Sequence, residues 1–162
     1  MSKQIQWGIL GTANIAAKVG QAIQKADNAN LVAIASRSVT KAKHWAETHR
    51  LPKYYDSYQQ LLSDTEIEAV YIPLPPSLHA EWTIHTAEAG KHILCEKPLS
   101  ANYGQAMDMV DACRANGVQL MDGVMWVHHD RTRLMEQIIQ SGDLGELRRV
   151  TSAFTFHWDQ FP

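Results

Sequence analysis

Short apolar runs suited to buried strands alternate with segments of helical periodicity from Gln4 to Met121, and this rhythm restricts the fold more than any single motif. Gln4–Leu10 alternates and then turns apolar before Gly11, after which Ile15, Val19, Ala22, Ile23 and Ala26 follow at helical spacing. Leu31–Ala35 is a continuous apolar run, the mark of a strand covered on both faces, and Ser38 or Thr40 can cap a helix over Lys41–His49. A short segment around Tyr54 and Tyr55 and a helix through Leu61 and Leu62 lead to a buried strand at Ala69–Ile72, ended by Pro73, Pro75 and Pro76. Ser77 is expected to cap a helix reaching Ala89, with Gly90 as its stop and His92–Cys95 as the next strand. Asn102 opens another helix to about Ala115, Asn116 and Gly117 end it, and Val118–Met121 closes the set. Strands alternating with helices in this way predict an α/β fold built on a parallel, doubly wound sheet.

Beyond Asp122 the texture changes to a His-rich turn, a helix over about Arg131–Gln140, a Ser141-Gly142 stop and a stretch of strand formers, Glu146–Trp158. The domain boundary is placed there. At 162 residues and 45% apolar content the chain can bury one sizeable core and an appendage, so the segment 122–162 reads as a linker helix and the first strand of an incomplete second domain. A strand carrying Phe154, Phe156 and Trp158 with no sheet to join is expected to pair with a second copy, making a homo-oligomer through the C-terminal segment. Basic and acidic residues number 15 and 17 without a run of either sign, which argues against nucleic-acid and anionic-membrane partners and for a small-molecule substrate. Cys95 and Cys113 lack C-x-x-C spacing and read as reduced thiols, no targeting or membrane-spanning segment is evident, and a soluble, cytoplasmic protein without a metal site is expected.

Three places carry chemistry. The first turn, Gly8-Ile9-Leu10-Gly11-Thr12-Ala13-Asn14-Ile15-Ala16, partly matches a dinucleotide-binding fingerprint: Gly11 can make the tight turn and Ala16 permits close helix packing, but Ala13 adds a methyl where a pyrophosphate approaches. An ordinary tight turn in an α/β core is the competing reading. After the next strand, Ser36-Arg37-Ser38 and Lys41 stand where a carboxylate would hold the ribose hydroxyls of NAD. An arginine fork with a hydroxyl suits a 2′-phosphate instead, which points to NADP over NAD unless Arg37 is merely solvated. Glu96-Lys97-Pro98 lies at the carboxyl end of a strand, where open α/β sheets bind ligands. There Lys97 could exchange a proton with a substrate hydroxyl, with Glu96 orienting it and Pro98 fixing its approach; an ordinary surface Glu-Lys pair is the alternative.

Together these features resemble the Gfo/Idh/MocA family of glucose-fructose oxidoreductase, inositol dehydrogenase and their rhizopine-catabolism relatives. The resemblance rests on Gly8–Ala16, Ser36-Arg37, the loop Tyr71–His79, Cys95-Glu96-Lys97-Pro98-Leu99 and Met125–His129, and it covers nearly the whole chain. It implies a Rossmann-type domain over 1–121 followed, over 122–162, by the truncated start of an α+β substrate or oligomerisation domain. By position it makes Lys97 the catalytic lysine, with Glu96 beside it, and brings Leu74, Pro75 and His79 alongside the nicotinamide half of the cofactor. Gly11, Thr12, Ala13, Asn14 and Ile15 would wrap the pyrophosphate, Ser36, Arg37 and Lys41 would hold the 2′-phosphate, and Glu96 and Lys97 would also touch the cofactor. His129 is a candidate on the substrate side, or else a residue capping or packing beside the helix that starts near Arg131. Three positions depart from the family pattern: Pro76 replaces a frequent Asn, Val127 a frequent Arg and Asp130 a common Pro. An Asp and a His that the family's second domain contributes to catalysis are not expected from this sequence.

The resulting expectation is an NADP-dependent oxidoreductase that moves a hydride to or from a sugar, polyol or related hydroxyl or carbonyl compound, present as its cofactor-binding half. The rival is a truncated, inactive NADP-binding protein or redox-sensing module. An S-adenosylmethionine site with a similar glycine turn would leave Arg37 and Glu96-Lys97-Pro98 without a role.

Overall fold

The computed structural model describes residues 3–155. Strands β1 (Ile5–Leu10), β2 (Ala29–Ala35), β3 (Lys53–Tyr55), β4 (Ala69–Ile72), β5 (His92–Cys95) and β6 (Leu120–Asp122) form one sheet in the order β3-β2-β1-β4-β5-β6. Each neighbouring pair is parallel. The chain starts at the centre, winds outward through β2 and β3, then returns to the other side of β1 at β4. This reversal leaves a crevice beyond the carboxyl ends of β1 and β4, where the two halves diverge.

The strands connect through α1 (Asn14–Lys25), α2 (Val39–His49), α3 (Tyr58–Ser63), α4 (His79–Glu88) and α5 (Tyr103–Ala115). Why the central strands turn apolar towards their carboxyl ends is visible in the core. Leu10, Ala33, Ala35, Val70 and Ile72 pack with Leu61, Trp82 and Met109 of α3, α4 and α5, whereas their neighbours Ile9, Ile34 and Tyr71 pack with Ala16, Ile23 and Ala46 of α1 and α2. Successive strand residues point to opposite faces, and helices cover both, so no position on β1, β2 or β4 near the crevice faces water.

Several expectations shift. Ser77 does not cap α4: Pro76–Leu78 forms a single 3-10 turn, and Leu78, without a side-chain bond, precedes the helix. Proline fits the first position of such a turn because it has no N–H to satisfy. Strand β6 starts two residues later than expected because the Val118 N–H still closes α5 on the Cys113 carbonyl. Ser38 caps α2 and Asn102 caps α5, each accepting a backbone N–H three residues on.

Contacts divide the chain into two units, Met1–Val124 and Met125–Pro162. In the second, Met125–His128 makes a 3-10 turn and α6 spans Asp130–Gln140. The strand expected at Glu146–Trp158 is absent over its described residues, 146–155, which are exposed; 156–158 lie outside the described residues. A strand needs a neighbour for its ladder of hydrogen bonds, and β propensity alone supplies none.

Candidate active site

Gly11, Thr12 and Ala13 from the β1–α1 turn, Ser36, Arg37, Ser38 and Lys41 from the β2–α2 turn, and Pro73, Leu74 and Pro75 after β4 line a cleft of about 470 Å³, with Tyr58 of α3 completing the lining. The turn is built around Gly11. Its φ of +98° lies in the region L side chains avoid, and a Cβ there would sit 2.9 Å from Leu74 Cδ2. Gly11 thereby brings the glycine turn and the proline loop together. Ala13, by contrast, is at φ −63°, ψ 155°, which any residue adopts, so its departure from glycine strains nothing.

Ala13 stands at the N-cap of α1 without a side-chain bond, and the first turn carries no acidic residue. Among the described residues the opening N–H groups of α1 therefore lack a side-chain acceptor, the condition under which a helix N-terminus suits an anion. Across the cleft Ser36 is buried and its Oγ accepts the Ser38 N–H at 3.3 Å, folding the β2–α2 turn back on itself. Arg37 and Lys41 are exposed. Tyr58 is buried under the turn, its ring edge-on to Trp82 at 4.7 Å. Burial raises its phenol pKa while the Arg37 guanidinium beside it pulls the other way. Two cations, hydroxyls and a helix N-terminus line this cleft with no carboxylate among the described lining residues: a donor set that fits a phosphate-bearing dinucleotide.

Asn14 and Ile15 open α1 just behind the turn. Glu96, Lys97 and His79 are outside the cleft lining. Lys97 lies beyond the end of β5, which pairs with β4 through Ile72 and Cys95, and its side chain is exposed. The Lys97-Pro98 peptide is cis. Glu96 is buried and does not form an ion pair with Lys97 among the described residues; its Oε2 accepts the Lys97 backbone N–H at 3.1 Å, and its Oε1 accepts the Tyr71 hydroxyl at 2.8 Å. Glu96 thus holds the lysine by its backbone. Burial first, and then the carboxylate it bonds, drive the Tyr71 phenol pKa far up, so this hydroxyl stays a donor.

His79 is fully buried, with both ring nitrogens at backbone carbonyls, Leu74 at 2.7 Å and Pro98 at 2.9 Å. His129 caps α6, its Nδ1 accepting the Arg131 N–H at 3.1 Å, one of the two arrangements considered for it above. The roles of the Tyr58 and Tyr71 hydroxyls are not legible in the sequence. An aromatic residue in an apolar strand or on the first turn of a helix looks like core, and only the direction of each hydroxyl shows otherwise.

Residues 5–124 match the family model described as the oxidoreductase family with an NAD-binding Rossmann fold, Gfo/Idh/MocA. The chain belongs to this family. It is 41% identical over 153 residues to D-xylose 1-dehydrogenase (NADP(+)) 2 of Haloferax volcanii, covering 94% of this chain and 46% of that protein. An uncharacterized oxidoreductase of Rhizobium meliloti, ORF334, is also 41% identical, over 93% of this chain and 46% of its own length. Among solved structures, KijD10 of Actinomadura kijaniata, a 3-ketoreductase in complex with NADP, superposes with a TM-score of 0.82 at 35% identity over 89% of this chain and 46% of that one. An NAD-binding oxidoreductase of Klebsiella pneumoniae gives 0.83 at 28% identity over 88% and 40%. The chain therefore spans about half the length of these relatives, the half that binds the cofactor. Among the described residues no helix is long and apolar enough to cross a membrane.

Proposed function

We propose that this chain is the cofactor-binding half of an NADP-dependent oxidoreductase that transfers a hydride to or from a sugar, polyol or related hydroxyl or carbonyl compound. The observation that carries the reading is the cleft, in which Arg37, Lys41, Ser36 and Ser38 face the glycine turn with no carboxylate among the lining residues. A 2′-phosphate would lie against Ser36, Arg37 and Lys41, since a carboxylate in their place would repel it. The pyrophosphate would meet Gly11, Thr12 and Ala13 and the opening N–H groups of Asn14 and Ile15. Leu74 and Pro75 would border the nicotinamide side. When bound, NADP supplies the hydride acceptor, and NADPH the donor.

The protein's own part is to hold and move a proton. Lys97 Nζ, at the end of β5, takes the proton from a substrate hydroxyl as it is oxidised or returns one to a carbonyl oxygen as it is reduced. Glu96 supports it through the backbone N–H. The relatives named for sugar or ketone chemistry suggest the substrate class, and the buried, free thiols Cys95 and Cys113 suit a cytoplasmic setting. Burial pushes the Cys95 thiol up to about 12, which leaves it protonated and unreactive.

Lys97→Ala tests this directly. Turnover of aldose or ketose substrates with NADPH should fall by about a thousandfold, the scale of one lost acid-base group, while NADPH still binds. Binding of NADPH without turnover by the parent chain would favour the rival reading, a cofactor-binding module.

A further inference from the structure

The Lys97 side chain is exposed, so its place is set by the backbone on either side of it. That backbone is held through the Glu96 side chain and at the Pro98 carbonyl, each time by a buried side chain from β4 or the start of α4. Tyr71 on β4, without exposed surface, donates its hydroxyl to Glu96 Oε1. Behind the carboxylate, Gly123 packs so closely that a Cβ there would come within 3.1 Å of Glu96 Cα and 3.2 Å of its Oε1. A side chain at Gly123 would press on the carboxylate, whose other oxygen keeps the Lys97 N–H.

At residue 98 the tie is His79, at the start of α4. Its Nδ1 meets the Pro98 carbonyl and its Nε2 the Leu74 carbonyl. A carbonyl oxygen only accepts, so each contact is a hydrogen bond when the facing nitrogen carries a proton. Leu74 belongs to the wall of the cofactor cleft, and Pro98 follows Lys97 directly. One ring thereby lies between the two loops, with one N–H to donate in either neutral tautomer and the other nitrogen in contact with the second carbonyl, and it has no exposed atom with which to touch a ligand itself.

We propose that Tyr71 and His79 are positioning residues that clamp the Lys97 loop from both sides, and that His79 in addition couples this loop to the cofactor cleft through Leu74. The proposal rests on the reading of Lys97 as the proton carrier, but its test does not require turnover. The two residues should separate, because Tyr71 touches only the lysine side while His79 touches both.

Amide hydrogen exchange on the full chain, read residue by residue for Tyr71→Phe and His79→Gln, provides the test. Tyr71→Phe removes one bond to a buried carboxylate and should speed exchange of the Lys97 N–H by about tenfold, the factor expected for losing a hydrogen bond to a charged group. Amides of Ile34 and Val70 should keep their protection, and NADPH affinity should stay within about twofold. His79→Gln should speed exchange at Leu99 and also weaken NADPH severalfold. Unchanged exchange at Lys97 and Leu99 in both variants would overturn the clamp, as would equal acceleration of every core amide. Should one variant fail to fold, the other still decides its own side of Lys97. A parent chain that binds no NADPH would refute the cofactor reading, and the exchange result would stand apart from it.

Discussion

From Ile5 to Val118 the chain buries strand faces between two layers of helices, whereas from Met125 to Thr155 no described residue is buried. Both regions contain good local signals. Asn102 caps α5 and His129 caps α6, and α6 carries Leu134, Met135, Ile138 and Ile139 on neighbouring turns as an amphipathic helix does. What differs is the partner: Met109 of α5 is fully buried against the sheet, while those four residues of α6 are all exposed. Local propensity makes a helix, but its stability in a protein comes from the face it buries.

The most severe way to break this contrast is to cut into each region alike. Leu61→Ala, at a side chain with no exposed surface, should destabilise the chain by about 2–5 kcal/mol, whereas Leu134→Ala on α6 should cost within about 0.5 kcal/mol. Chemical denaturation of the two variants checks this, and comparable losses would mean that α6 is packed as tightly as α3. Next comes Gly11→Ala, which puts a methyl both into a positive-φ backbone and into Leu74 Cδ2. A loss of roughly 1–3 kcal/mol is expected, with NADPH binding weakened in the same variant, since the cleft wall is what must move.

Charged pairs sharpen the contrast at a smaller scale. Asp64 binds Lys53 at 2.7 Å and accepts the Tyr55 hydroxyl at 2.7 Å, pinning the edge strand β3 to the end of α3. Burial would raise its pKa, but the bonds from Lys53, from Tyr55 and from the Glu66 backbone N–H outweigh it and hold the carboxyl down at about 2. A carboxyl depressed on folding stabilises above its unfolded pKa and loses that contribution as pH falls through its folded one. Stability should therefore decline from about pH 4 to pH 2, and Asp64→Asn should remove that part of the pH dependence. The exposed Arg133–Asp130 pair of α6 should matter little, so Asp130→Asn should leave thermal unfolding almost unchanged.

How much of this was legible beforehand follows the same division. Ala69–Ile72 and His92–Cys95 stood out because a short apolar run between turn residues has few other uses, and the structure places β4 and β5 on those residues. Asn102 reads as a cap because its short side chain can reach the N–H three residues on. Ser77 reads the same way, yet Pro76 commits the backbone to a 3-10 turn first. Glu146–Trp158 looked like a strand from composition, but pairing is a property of two segments, and one cannot reveal it. At the site, the Gly11 turn was legible because glycine alone takes a positive φ easily, and the structure places Arg37 in the lining of the same cleft. The resemblance sets His79 on the loop beside the cofactor, and the structure places its buried ring between the Leu74 and Pro98 carbonyls. Tyr71 and Tyr58 were silent, since sequence does not tell which way a buried hydroxyl points.

The proposed preference for NADP rests on the cations at the end of β2 meeting a 2′-phosphate. Side-by-side fluorescence titration of the chain with NADPH and NADH, repeated on Arg37→Ala, tests it most directly. The account predicts NADPH binding tighter by about tenfold, the low end for charge-assisted bonds at an exposed site, and loss of most of that preference in Arg37→Ala. Equal affinities, tighter NADH, or a preference untouched by the substitution would contradict it.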